Sequence, residues 1–277
     1  MKNRMTAILT ALLCLIAISA RASQKLNLYI DKDALLAHDI SAADIRIRPE
    51  SMMRVLRHSL WPWDEDGLQW SMFVEVENTS EEKIVIDDTW LVACKANRDE
   101  IAAADNALRA TDNVLDPGEK TVLYAGVDEW MMLTDYRDVK EDAKAEGLSE
   151  FAEKIQKAEI LRIRLDTRGG ESTANWPKAA VDAKVRIEEG KICFEMTHDS
   201  EQVMAFHTIG VIVCDENGRL MDVLQSSYAR GAMAEPGKTI VFEKALQPYI
   251  TGEMAQCAQF ELFAYTMPET MLHINRQ

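Results

Sequence analysis

The stretch VEVENTSEEKIVIDDTWLVACKAN, residues 74–97, lies without a gap on FEMTHDSEQVMAFHTIGVIVCDEN, residues 194–217, at an offset of 120. Glu75 and Glu195, Ser80 and Ser200, Glu81 and Glu201, Cys94 and Cys214, and Asn97 and Asn217 are identical. Other pairs keep their character, as Val74 does with Phe194 and Leu91 with Val211. Further on, Asp116-Pro117-Gly118 ahead of TVLYA is matched by Glu235-Pro236-Gly237 ahead of TIVFE at an offset of 119. Ungapped agreement over a strand, a turn and a strand, followed by a second matched turn, implies a duplicated module. Each copy must therefore bury a core of its own in little more than 100 residues.

Within each copy the period is two. Trp70, Met72, Val74 and Val76 alternate with Ser71, Phe73, Glu75 and Glu77, and Ile192, Phe194 and Met196 alternate with Cys193, Glu195 and Thr197. Such stretches are half-buried strands with one face inward, and only Phe73 breaks the polar side. The polar segments Asn78–Glu82 and His198–Gln202 mark hairpin connections to a long apolar strand that ends at Cys94 or Cys214. Asn217-Gly218 reads as a tight hairpin turn, because that pair adopts positive φ at low cost. Each copy closes on another alternating stretch, Glu159–Leu165 and Ala258–Tyr265. The expected fold is all-β, two tandem immunoglobulin-like antiparallel β-sandwich modules.

The first copy carries more than the second. Residues 135–158 are charged and rich in helix formers, with Leu148, Phe151, Ile155 and Ala158 on one face, and are expected to form a helical insertion over a sheet edge. The second copy has only the short connection Gln247–Gln256 there. Small and polar residues from Thr167 to Thr173 read as an exposed hinge, dividing a first module at 23–168 from a second at 169–277. Residues 23–66 are treated as an extension packed on the first module. In it LNLYI and ADIRIRP read as strands and Arg54–Leu60 as a turn or short helix.

Ahead of the modules, Lys2 and Arg4 precede an apolar run from Ala7 to Ala20, and Ala20-Arg21-Ala22 offers a small-residue cleavage site. This is the order of a signal peptide over residues 1–22, cleaved near Ala22, and the run is short for a membrane anchor. The mature chain is expected outside the cytoplasm, secreted or in the cell envelope, without membrane insertion. Losing Lys2, Arg4 and Arg21 takes the formal charge from −15 to about −18. That excess repels phosphate backbones and anionic lipid surfaces, which argues against nucleic-acid or membrane-surface partners.

The order of strand, Asn-Thr-Ser hairpin, long strand, Asp-x-Asn-Gly turn and Pro-Gly turn resembles small bacterial extracellular sandwich modules of the FxLYD kind. It is carried by Val74–Asn78, Ile212–Gly218, Asp116–Glu119 and Phe260–Tyr265. The last departs from that family's ending, with Phe263-Ala264 where Tyr-Asp would stand. The resemblance implies a fold and an extracytoplasmic place, and it brings no catalytic residues.

Four cysteines follow residue 22: Cys94, Cys193, Cys214 and Cys257. They read as buried thiols, with a Cys193–Cys257 bridge as the alternative in an oxidising compartment. A nucleophilic cysteine would need a base such as His207 beside it. The histidines have no zinc-binding spacing, and the acidic runs at Asp64–Asp66, Asp87-Asp88 and Asp215-Glu216 read as solvated turns rather than calcium loops. Trp61 and Trp63 flank Pro62, and with Phe73 they are the candidate contacts for a protein partner or an envelope glycan. The competing reading is an aromatic clamp that packs the extension on the sandwich. No hydrolase, phosphate-binding or dinucleotide motif is present, so no cofactor and no catalytic residue are assigned. The expected function is non-enzymatic binding of proteins or envelope material. A carbohydrate-binding module and an enzyme with an inter-module site are the alternatives.

Overall fold

The computed structural model describes residues 24–31, 52–62, 70–105, 108–125, 154, 157–169, 176–198, 201, 203–227 and 233–267. The chain is all-β, two tandem antiparallel sandwiches of immunoglobulin-like type. The first contains β1 (Gln24–Asp31), β2 (Met53–Pro62), β3 (Trp70–Asn78), β4 (Ile84–Cys94), β5 (Glu100–Asp105), β6 (Arg109–Ala110), β7 (Val114–Leu115), β8 (Lys120–Ala125) and β9 (Ile160–Gly169). The second contains β10 (Lys184–Glu188), β11 (Lys191–Thr197), β12 (Met204–Cys214), β13 (Leu220–Ser227), β14 (Met233–Ala234), β15 (Thr239–Ala245), the short helix α1 (Gly252–Gln256) and β16 (Gln259–Thr266).

In the first sandwich a sheet ordered β1-β9-β4-β5, with β7 also on β4, faces a sheet ordered β2-β3-β8-β6. Leu28, Leu91 and Ile163 of one meet Met72, Val74 and Leu123 of the other in a closed core. In the second, β10-β11-β15 faces β13-β12-β14, with β16 on the other side of β12. The duplication holds at the level of register. Leu91 pairs with Ile163 as Val211 pairs with Leu262, and Val74 pairs with Leu123 as Phe194 pairs with Phe242.

The matched Pro-Gly turns have a physical task in both copies. Gly118 donates its N–H to the carbonyl of Asn78 at 2.8 Å, and Gly237 donates to that of His198 at 2.9 Å. Both glycines sit at positive φ, 79° and 69°, where a side chain is strained. The backbone does the holding, so Asn78 and His198 can share one position despite their different chemistry.

Several expectations change. Arg54–Leu60 is neither turn nor helix but the body of β2, which pairs with β3 from Met53 to Pro62. A bulge between Val55 and Arg57 reverses the inward phase, so no single period of two runs through the strand. With β1 on β9 and β2 on β3, the described segments of this stretch are not packed on the first sandwich but are strands of its two sheets. Thr167–Gly169 is not hinge but the end of β9, with Thr167 buried. The segment ADIRIRP and all of 135–158 except Lys154, Lys157 and Ala158 lie outside the described residues.

Candidate functional site between the sandwiches

The strands β2, β3 and β8 alternate, so every second side chain points away from the first core. On that outer face stand Arg57, Ser59, Trp61, Phe73, Glu75, Val122 and Tyr124. A face of this composition in water would leave four large apolar groups exposed. Instead it is covered by the second sandwich. Trp61, Phe73, Val122 and Tyr124 belong to the same apolar cluster as Ile212, Leu220 and Val223. The four sheets are thus layered, with β2-β3-β8 packed on β13-β12-β16.

Polar groups fix this joint. The Trp61 indole N–H donates to the Leu220 carbonyl at 2.7 Å, Ser59 donates to the same oxygen, and the indole stacks on Tyr249 at 5.4 Å. Arg57 donates through Nε to Glu75 at 2.7 Å and through Nη1 and Nη2 to both oxygens of Glu261 at 2.8 and 2.9 Å. The two parallel bonds to Glu261 make this a bidentate, charge-assisted contact across the joint. Hydrogen bonding to Arg57 holds the Glu261 carboxyl below its ordinary range. Cys214 lies 3.5 Å from Arg57 and 3.6 Å from Glu261, yet burial pushes its thiol up to about 12. At neutral pH it is protonated and behaves as a small packed group.

Beside the joint a cleft of about 320 Å³ is lined by Arg109, Thr111, Asp112 and Asn113 of the first sandwich and by His207, Thr208 and Gln225 of the second. Asp112 sits in the short segment between β6 and β7. Its N–H donates to Thr121 Oγ1 and its carboxylate accepts from Val114 N–H, both at 3.0 Å. Burial raises its pKa to about 6 against these stabilising hydrogen bonds. The Gln225 Oε1 is buried without a hydrogen-bond partner among the described residues. His207 stacks flat on Trp176 at 3.9 Å, and burial lowers its pKa, so it is neutral at pH 7. These groups can hydrogen-bond a small polar ligand. A second cavity of about 260 Å³, sharing Thr111, is lined by Glu75, Lys120, Lys178, Leu262 and Tyr265.

The residues singled out in the sequence take different places. Trp61 is 8 % exposed and Phe73 2 %, both inside the joint, so their ring faces are not open to a glycan or a partner; they clamp one sandwich to the other. Trp63 lies outside the described residues. Cys193 and Cys257 are free thiols. Cys193 is on the outward side of β11, whose alternate residues Ile192 and Phe194 point inward, whereas Cys257 follows α1 on the way into the other sheet. His207 and Cys214 are seven residues apart on β12, about 23 Å along an extended strand, too far for a base and its nucleophile. Asp87 and Asp88 are not a turn but part of β4, at the bulge between Ile86 and Asp88, where the Asp88 carboxylate accepts from Thr89 N–H and the Trp90 indole N–H. Asp215 does form the turn into β13, accepting from Asn217 and Arg219 N–H, but it is buried rather than solvated. Asp64–Asp66 lie outside the described residues. Among the described residues no three His, Cys, Asp or Glu side chains converge as metal ligands do. Sequence reasoning passed over Asp112, Asn113 and Gln225, which no motif connects.

No protein-family model and no curated protein matches the chain. Solved structures give faint similarity. Red sea bream transglutaminase shares 10 % identity over 76 % of this chain and 29 % of its own, with a TM-score of 0.18. A calcium-binding mutant of Bacteroides uniformis β-glucuronidase 2 shares 12 % over 89 % and 33 %, also at 0.18. The coconut allergen cocosin shares 11 % over 88 % and 86 %, at 0.13. The chain thus spans a third or less of the first two proteins, and at these scores none bears on its fold or its function.

Proposed function

We propose that the chain is an exported, non-enzymatic protein whose two sandwiches act as one rigid body that binds other proteins or cell-envelope material. The observation that supports this is the joint itself. Trp61, Phe73 and the Arg57–Glu261 pair hold the two copies in one fixed relation, so loops, edges and the cleft are presented in a constant arrangement. Such preorganisation favours recognition, because little ordering remains to be done on binding. The residues that chemistry would recruit are absorbed by packing: Cys214 is kept protonated, and Arg57 is saturated by carboxylates.

Binding of the mature chain, residues 23–277, to separated envelope proteins and envelope glycans is the test, read by surface plasmon resonance. Saturable binding to a proteinaceous fraction is expected. Absence of binding to every fraction would refute it. The cleft favours a second reading, a small polyhydroxylated ligand such as a sugar, held by Arg109, Asn113 and Gln225. A glycan array with wild type and Asn113→Ala separates the two readings, since glycan binding lost in the variant would favour the second.

A further inference from the structure

The duplication gives the molecule two equivalent seats for an edge strand. In the first sandwich β9 has β4 on one side and β1 on the other, with β1 in register along its whole length from Gln24 opposite Thr167 to Asp31 opposite Ile160. In the second, β16 takes the place of β9, and the pairs Leu91–Ile163 and Val211–Leu262 fix the equivalence. Among the described residues, the far edge of β16 is met only by Pro177–Ala179. Lys178 bridges to Tyr265, Ala179 N–H donates to the Ala264 carbonyl at 2.9 Å, and Thr266 N–H donates to that of Pro177 at 2.8 Å. By register Lys178 stands where Lys25 stands in the first copy.

The connections explain the difference. Residues 32–52 separate β1 from β2, so β1 can run the full edge before the chain crosses to the other sheet. Only residues 180–183 separate Ala179 from β10, so the chain must leave the edge at once. Among the described residues nothing pairs with the edge of β16 from Gln259 to Phe263. The side chains register the loss of cover. Ile163 is fully buried, while its counterpart Leu262 is 38 % exposed and borders the 260 Å³ cavity together with Lys178, Phe263 and Tyr265.

We infer that the edge of β16 from Gln259 to Phe263 is the docking seat for an extended segment of a partner protein, which joins the sheet as an antiparallel strand. The occupant's chemistry follows from what fills the equivalent seat. It carries apolar side chains two residues apart, as Leu26 and Leu28 are, and continues the short ladder begun by Pro177–Ala179. An exposed edge with an apolar flank is the ordinary substrate for strand addition, in which main-chain hydrogen bonds give affinity and alternate side chains give selectivity. The inference rests on the protein-binding reading above and names its site.

The test uses the full mature chain and the labelled peptide QKLNLYID, the sequence of β1, followed by fluorescence polarisation and by hydrogen exchange. Saturable binding is expected, with new protection at Gln259–Phe263, at least tenfold weakening by Leu262→Glu, and loss of binding when proline replaces leucine at the peptide position of Leu28. Leu262→Glu sits at an exposed position, and an unchanged melting temperature verifies its fold. No binding, affinity indifferent to Leu262→Glu, or protection appearing at Ile160–Leu165 instead, as β1 is displaced, would each overturn the seat. If envelope proteins bind wild type and Leu262→Glu equally well, the seat is wrong and the binding function stands. If the peptide binds and no envelope protein does, the seat stands and the function falls.

Discussion

Asp112 is the residue whose charge state the fold most alters in the cleft. Burial raises its pKa to about 6 from an unfolded value near 4, so the folded chain holds the proton between those limits and the unfolded chain does not. Its contribution to stability is favourable below about pH 4 and is lost as pH rises through about 6. Asp112→Asn, which keeps the acceptor for Val114 N–H, is expected to stabilise the chain by about 2 kcal/mol at pH 7.5 and to have little effect at pH 4. Urea unfolding at the two pH values measures this, and equal shifts at both would show that Asp112 is not so perturbed. Lys244 poses the opposite case. Its ammonium donates to buried Asp222 at 2.6 Å, and Lys244→Ala would leave that carboxylate without its cationic partner, costing about 3 kcal/mol in the same assay. The residues of the joint were partly legible: Phe73 stood out on a polar face, and the cover that explains it is the other sandwich. The cleft was not legible, since Asp112 and Gln225 meet only through tertiary packing.

At the scale of strands, sequence periodicity recovered those with one uninterrupted phase. β3, β4, β11, β12, β9 and β16 all lie where alternation and the repeat place them. β2 escaped because its bulge changes phase within the strand, and two successive half-patterns resemble a turn. Gly210 shows what a strand interior can require. It occupies the position of Trp90 in the first copy, and a Cβ there would stand 2.2 Å from the Leu224 carbonyl and 2.8 Å from the Phe263 ring. Gly210→Ala must push β12 away from β13 and is expected to cost about 3 kcal/mol. A urea midpoint unchanged by this substitution would mean that the two strands are not so closely apposed. The edge strand β1 belongs to the same scale. Leu28→Ala opens a cavity in the first core and is expected to cost about 3 kcal/mol, with faster hydrogen exchange along β9.

For the whole molecule, the repeat foretold two sandwiches but not their relation, because a chain of beads and a layered body have the same internal periodicities. One sign of the layered arrangement was present in Phe73, the apolar group that breaks a nominally polar strand face, whereas Trp61 joins that face only through β2. Its meaning required knowing that Leu220 and Tyr249 lie opposite. If the joint is as intimate as Trp61, Phe73 and the Arg57–Glu261 pair make it, neither sandwich should unfold without exposing the other's surface. Scanning calorimetry of the mature chain with Trp61→Ala tests this directly. One transition is expected, with calorimetric and van't Hoff enthalpies equal, moved down as a whole by the loss of about 3 kcal/mol of packing. Two independent transitions, with Trp61→Ala lowering only one, would contradict a rigid pair.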